Sequence, residues 1–312
     1  MGTVHKLLTE KGKAGAIAAG TVERDIIETA ARYMQDEESG LGFVYSGWTQ
    51  CALPHRRLKD DEPWTVASER VRLVVQPGLR PIGDDGQLES VGVPFGAHAR
   101  LILLFLQTEA LRTGSREVEL GGSLRQWMAR LGIQPGGSAF RSVKEQAERI
   151  SRCRLSFHIS GAGRTSALVN QSVVDKALFI EESDDYRQGR LSLEIAKLSE
   201  GYFEQLKKHP VPLEEAAIKS LANNSAAMDA YIWLAYRLHS LKGDTLVTWK
   251  ALKAQFGTNY KELYHFKSKW PKALDLALAV YPDAKVEVGE IGVLLKPSRP
   301  PVAPRLLTIR QG

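Results

Sequence analysis

Between His98 and Arg112 the chain carries Leu101, Ile102, Leu103, Leu104, Phe105 and Leu106 without a polar break, which predicts a helix buried on nearly all sides. A short strand is predicted at Glu117–Leu120. Ser123 then stands at the N-cap of a second helix holding Leu124, Trp127, Met128 and Leu131, with Gly132 ending it. Past the turn Gly136, Gly137 and Ser138, a third helix is predicted over Ala139–Cys153, because Phe140, Val143, Ala147 and Ile150 share one face. Strand-like segments Arg154–Ile159 and Leu168–Val174 flank Gly161, Ala162, Gly163 and Arg164, which reads as a hairpin with a basic tip.

The same order returns about 130 residues later, a spacing that points to duplication of a whole unit. Met228–Leu241 is the buried helix and Thr245–Val247 the short strand. Thr248 caps a helix with Trp249, Leu252 and Phe256 that stops at Gly257. After Thr258 and Asn259 a third helix is predicted from near Tyr260, with Leu263, Phe266, Trp270 and Leu274 facing inward. Pro271 is expected to kink or divide it, since the ring removes a donor and crowds the preceding turn. Lys285–Val288 and Val293–Lys296 flank Gly289, Glu290, Ile291 and Gly292 as a second hairpin. Helix, strand, helix, helix, hairpin is the order of a winged helix.

Elsewhere the pattern is weaker. Glu23–Met34 reads as an amphipathic helix with Ile26, Ile27, Ala30 and Ala31 on one face, and Trp64–Val75 as a strand pair. Gly78, Pro81, Gly83 and Gly86 mark a turn-rich boundary. Arg190–Ile195 alternates like a strand, Leu198–Lys208 reads as a helix, Pro210 and Pro212 mark a linker, and Pro297–Pro304 an extended tail. The expected fold is α+β: an irregular N-terminal extension (1–91) partly packed on the first domain, tandem winged-helix domains at 92–210 and 211–300, and a tail at 301–312.

The length of 312 residues allows two such domains. A 43% apolar share is that of an ordinary packed protein, and 42 Lys and Arg against 36 Asp and Glu leave a net charge of +6, which favours a polyanionic partner. Cys51 and Cys153 are too few for a disulfide framework and read as small core residues. No apolar run is long enough to span a membrane, and Met1–Gly20 lacks the apolar stretch of a secretory signal. The expected compartment is the bacterial cytoplasm. No phosphate-binding glycine loop, dinucleotide fingerprint, zinc helix or His-x-His pair is present, so no catalysis, metal or cofactor is expected. Glu37 with Glu38 and Asp60 with Asp61 read as solvated loop acids.

A winged helix lays its third helix in the major groove, where long polar side chains meet base edges and cations hold phosphates. In the first unit Ser138, Arg141, Lys144, Arg149 and Arg152 are candidates, with Arg164 at the hairpin tip reaching a phosphate or the minor groove. In the second they are Asn259, Tyr260, Lys261, Tyr264, His265, Lys269 and Lys272, while Glu290 makes that hairpin tip a weaker contributor. Trp127, Trp233, Trp249 and Trp270 fall on apolar faces and read as core.

Gly96–Ala110, Ser115–Leu120, Ser123–Trp127, Gln146–Leu155 and His209–Leu213 together resemble the RepA-type plasmid replication initiators, over about residues 45 to 300. That resemblance implies binding of repeated double-stranded sites (iterons) in a plasmid origin, opening of adjacent DNA, recruitment of the host initiator and replicative helicase, and repression of its own promoter. It also implies an equilibrium between monomers that bind iterons and inactive dimers. A transcriptional regulator with the same DNA-binding units, or a module whose winged helices bind proteins, stays open on the sequence.

Overall fold

The computed structural model describes residues 2–36, 40–68, 71–82, 86–119, 128–129, 132–133, 136–160, 166–180 and 192–303. Ahead of Gly20, where no helix was expected, α1 (Thr3–Ala19) forms, broken at Gly12, whose φ of 66° suits a residue without Cβ. α2 (Arg24–Gln35) buries the face of Ile26, Ile27, Ala30 and Ala31. β1 (Leu41–Tyr45) leads into a 3-10 turn, and β2 (Trp64–Ala67) and β3 (Val71–Gln76) are the expected strand pair. The turn-rich boundary is itself a hairpin, β4 (Leu79–Ile82) and β5 (Gln87–Ser90).

α3 (Gly96–Thr113) is buried along Ala99–Gln107, as its unbroken apolar run requires. β6 (Glu117–Glu119) and α4 (Gly137–Arg152) follow. The intervening helix predicted from Ser123, with Leu124, Trp127 and Leu131, lies outside the described residues, although Met128 and Ile133 at its end are buried. Next come β7 (Arg154–Ser160), β8 (Ser166–Gln171), β9 (Val174–Ile180), β10 (Ser192–Leu198) and α5 (Glu200–Lys208), capped by Ser199, whose hydroxyl accepts from the Tyr202 N–H. The linker read at Pro210 is a strand, β11 (Pro210–Glu214), followed by α6 (Glu215–Ser220) and the buried α7 (Ser225–Arg237). The chain closes with β12 (Thr245–Thr248), α8 (Trp249–Phe256), α9 (Leu263–Ala279), β13 (Lys285–Val288) and β14 (Gly292–Lys296).

All the sheets are small and antiparallel. β12, β14 and β13 form a three-stranded sheet in that order, and β6, β10 and β9 form another of the same order. The hairpin expected at 154–174 does not serve the first unit as β13–β14 serve the second. β7 and β8 instead extend the β2–β3 pair into the sheet β2-β3-β7-β8, with Val71 opposite Ile159 and Gln76 opposite Arg154. The β7–β8 pairing itself forms as predicted, with Leu155 opposite Gln171; what local periodicity does not reveal is that β7 also pairs with β3.

The N-terminal extension touches elements of both units. Its strands β2 and β3 join β7. Its helices lie on the second: the His5 imidazole meets the Ala279 carbonyl at 2.9 Å, and Lys272 on α9 pairs with Glu23 and Asp25, each at 2.8 Å. β1 pairs with β11, Leu41 opposite Glu214, which clasps the extension onto the junction. Pro210 and Pro212 stand in this two-stranded edge pairing, where a missing donor is tolerated.

α9 runs unbroken through Pro271. The helix is therefore not divided at Pro271, and Trp270 beside it packs against Phe256, Trp233, Trp249 and Phe266, with ring centroids 5.6 to 6.2 Å apart. Trp233, Trp249 and Trp270 are core, as are Cys51 and Cys153, whose thiols burial pushes up to about 12.

Candidate nucleic-acid interface

The two helices singled out in the sequence, α4 and α9, both present cations to solvent. On α4, Val143, Gln146, Ala147 and Ile150 turn inward, so Ser138, Arg141 and Lys144 project outward together. Neither Arg141 nor Lys144 is held in an ion pair among the described residues. Arg152, on the same helix, reaches sideways: it donates to the Leu79 carbonyl at 2.9 Å and pairs with Glu148 at 3.3 Å.

Arg149 is not part of that face. Its side chain is 3% exposed, donating to the Val93 carbonyl at 3.1 Å and pairing with Asp60 and Glu145 at 2.8 Å, while Phe95 lies under the guanidinium at 5.2 Å. Every direction of its donor fork is taken, which withdraws it from the candidates for DNA contact. A helical wheel sees only that Arg149 is polar; the carboxylate that draws it inward comes from residue 60, far away in sequence.

In the second unit the turn after α8 runs to Glu262, so α9 begins at Leu263, later than the predicted Tyr260. Asn259, Lys261, Tyr264, His265 and Lys269 are exposed along the turn and one face of α9, with Tyr264 and His265 in ring contact at 4.0 Å. Tyr260 is half-buried with its ring edge-on to Phe266 at 5.6 Å, and it supports the turn. Lys272 is spent on Glu23 and Asp25, whose carboxylates hold its ammonium above the ordinary lysine range. That contact requires α2, whose docking site the sequence does not reveal.

Lys267, missed by the sequence reading, ties α9 to the β13–β14 hairpin. Its ammonium donates to the Glu290 carbonyl at 3.0 Å and lies 5.8 Å from the Trp249 ring centre, while Trp249 donates its indole N–H to the Gly289 carbonyl at 3.0 Å. The hairpin is thereby fixed beside the exposed face of α9. Thr248 caps α8 as predicted, accepting from the Ala251 N–H at 3.2 Å. Arg164, the expected tip of the first hairpin, lies outside the described residues.

Among the described residues, no group of His, Cys, Asp and Glu is placed to hold a metal, and no helix is long and apolar enough to cross a membrane. What the surface offers is cations, amides and aromatic edges on two helices, a donor set suited to phosphates and base edges.

No curated protein matches the chain. Among solved structures it is similar to domains 2 and 3 of RctB: one such structure aligns with a TM-score of 0.53 at 13% identity, covering 83% of this chain and all of that one. A second structure of RctB domains 2–3 aligns at 12% identity, with a TM-score of 0.47, over 81% of this chain and 97% of that one. At such identities the likeness concerns the fold. The family model for plasmid-encoded RepA proteins matches residues 93–250, just over half of the chain's 312 residues, from the entry to α3 through α4 to the start of α8. The chain belongs to the family of plasmid-encoded RepA proteins.

Proposed function

We propose that this protein initiates replication of its plasmid by binding repeated double-stranded sites at the origin through two winged-helix units, without catalysis of its own. One observation carries the reading. The sheet orders β6-β10-β9 and β12-β14-β13 match, and in each unit an exposed basic helix, α4 or α9, precedes the last two strands of that sheet. In this reading the first wing is β9–β10 rather than β7–β8. Each helix enters a major groove, with Arg141, Lys144 and Ser138 on one site and Asn259, Lys261, Tyr264, His265 and Lys269 on the next.

Two linked readers gain affinity because the second binds as an intramolecular event. Bending of the duplex between them favours opening of weak A·T-rich DNA nearby. Recruitment of the host initiator and replicative helicase, repression of the protein's own promoter, a cytoplasmic location and a switch between iteron-binding monomers and inactive dimers complete the proposal. The test is binding of the full chain to origin repeats against scrambled duplex over a salt series, followed by transformation with a plasmid carrying only this gene and its adjacent repeats. Specific, salt-steep binding with autonomous replication supports initiation. Binding without replication makes the protein a regulator, and binding indifferent to sequence and salt ends the DNA reading.

A further inference from the structure

Between β1 and β2 the chain runs as a strap that is held by α3 and α4 and, at His55, by Ser225 on α7. On one side Arg100 donates to the Leu53 carbonyl at 2.7 Å and the Gly96 N–H to Pro54 at 2.9 Å. The His55 imidazole there sits 3.0 Å from the Ser225 hydroxyl and also meets the Phe256 backbone at the end of α8. On the other side Arg57 pairs with Glu145 on α4 at 3.2 Å and with Asp60 at 2.9 Å, and Arg149 closes on Asp60 at 2.8 Å. The strap therefore runs from the flank of α4 to the turn that opens α9.

Arg56 stands between these two moorings. It is exposed and makes no ion pair among the described residues, whereas Arg57, Arg100 and Arg149 each hold a carboxylate. The nearby strap acid Asp60 is shared by Arg57 and Arg149. The result is an unmatched guanidinium on a backbone held at both neighbours. Helices in successive grooves leave a phosphate ridge between them, and a cation carried between α4 and the end of α8 is within reach of such a ridge if it lies on the same side as the two helices' exposed faces.

We infer that Arg56 contacts a DNA phosphodiester between the two groove sites, a contact that sets the spacing of the units on the duplex without reading sequence. The inference rests on the proposed DNA-binding function. It is tested with the full chain as wild type, Arg56→Ala and Arg56→Lys, each titrated with salt on origin repeats and on scrambled duplex, with thermal unfolding measured alongside. The expected result is a log–log salt slope about 0.9 shallower for Arg56→Ala, an equal fold-loss on both DNAs, a restored slope for Arg56→Lys and an unchanged unfolding midpoint. A wild-type slope in Arg56→Ala overturns the inference while leaving the DNA reading intact. A lowered midpoint overturns it too, by making Arg56 structural. A wild type that shows no salt-dependent DNA binding removes the functional reading itself.

Discussion

Arg100 on α3 and Asp229 on α7 meet in a buried bidentate ion pair, Nε to Oδ1 and Nη2 to Oδ2 both at 2.7 Å, each side chain 7% exposed. Both helices are buried along most of their length. Arg100 spends its remaining donors on the Gly96, Pro54 and Leu53 carbonyls at 2.8, 3.3 and 2.7 Å, so one guanidinium joins α3, the strap and α7. A planar five-donor fork suits this task; a lysine would leave most of these acceptors unmet.

Removing either partner of this pair leaves an uncompensated buried charge, which costs about 3 to 5 kcal/mol. Asp229→Ala and Arg100→Ala are each expected to lose that much in denaturant unfolding. The double variant Arg100→Met with Asp229→Leu should recover most of it. A single variant that unfolds like wild type would remove the pair from the account of how the units are joined.

His55 lies 3.9 Å from Asp229 with its ring largely buried, and burial together with the Arg100 charge lowers its pKa from 6.5 to about 4. Below 6.5 the unfolded chain takes up a proton that the folded one refuses. Stability is therefore full above 6.5 and declines as pH falls toward 4, by on the order of 3 kcal/mol in total. Buried His5 and half-buried His98 are shifted the same way and add to the slope. His55→Gln should flatten the fall between pH 6.5 and 4; an unchanged profile would assign the acid sensitivity elsewhere.

The elements of the second unit were legible because each carries its own signal: Thr248 as a cap, Gly257 as a stop, and an apolar face repeating at helical spacing on α9. The first unit was less so, because its β9–β10 pair is separated from α4 by the β7–β8 hairpin, which has the same local pattern. Candidate residues followed the same division. Arg141, Lys144, Asn259 and Lys261 needed only helix or turn position to be judged exposed, whereas Arg149 and Lys272 are fixed by Asp60, Glu23 and Asp25, and no local rule supplies a distant carboxylate. Arg56 carried no signal at all, since its place depends on where both neighbours are moored.

Gly292 starts β14 where a Cβ would stand 2.1 Å from the Val247 carbonyl oxygen and 2.8 Å from the Thr248 Cα, both main-chain atoms that cannot swing aside. Gly292→Ala must push β12 from β14 and disturb the N-cap of α8 next to it. A loss of about 1 to 3 kcal/mol is expected, measurable in urea, by analogy with overpacking of a tight interior. Gly289→Ala, whose nearest contact is an ordinary 3.7 Å, is the matched control and should cost much less.

Arg141 and Arg149 are on the same helix and have the same side chain, yet opposite outcomes are expected on truncation. Arg141 is exposed and unpaired among the described residues, so Arg141→Ala should fold as wild type and lose about 1 to 3 kcal/mol of preference for the origin repeat, if it meets a guanine edge. Arg149→Ala removes the donor to the Val93 carbonyl and leaves Asp60 and Glu145 with Arg57 alone, so its first effect is lower stability, with binding weakened only as the folded fraction falls. Unfolding midpoints and duplex affinities measured on both variants separate the two roles. An Arg149→Ala protein that is fully stable but blind to the repeat would return Arg149 to the interface and require its buried pairs to open on DNA.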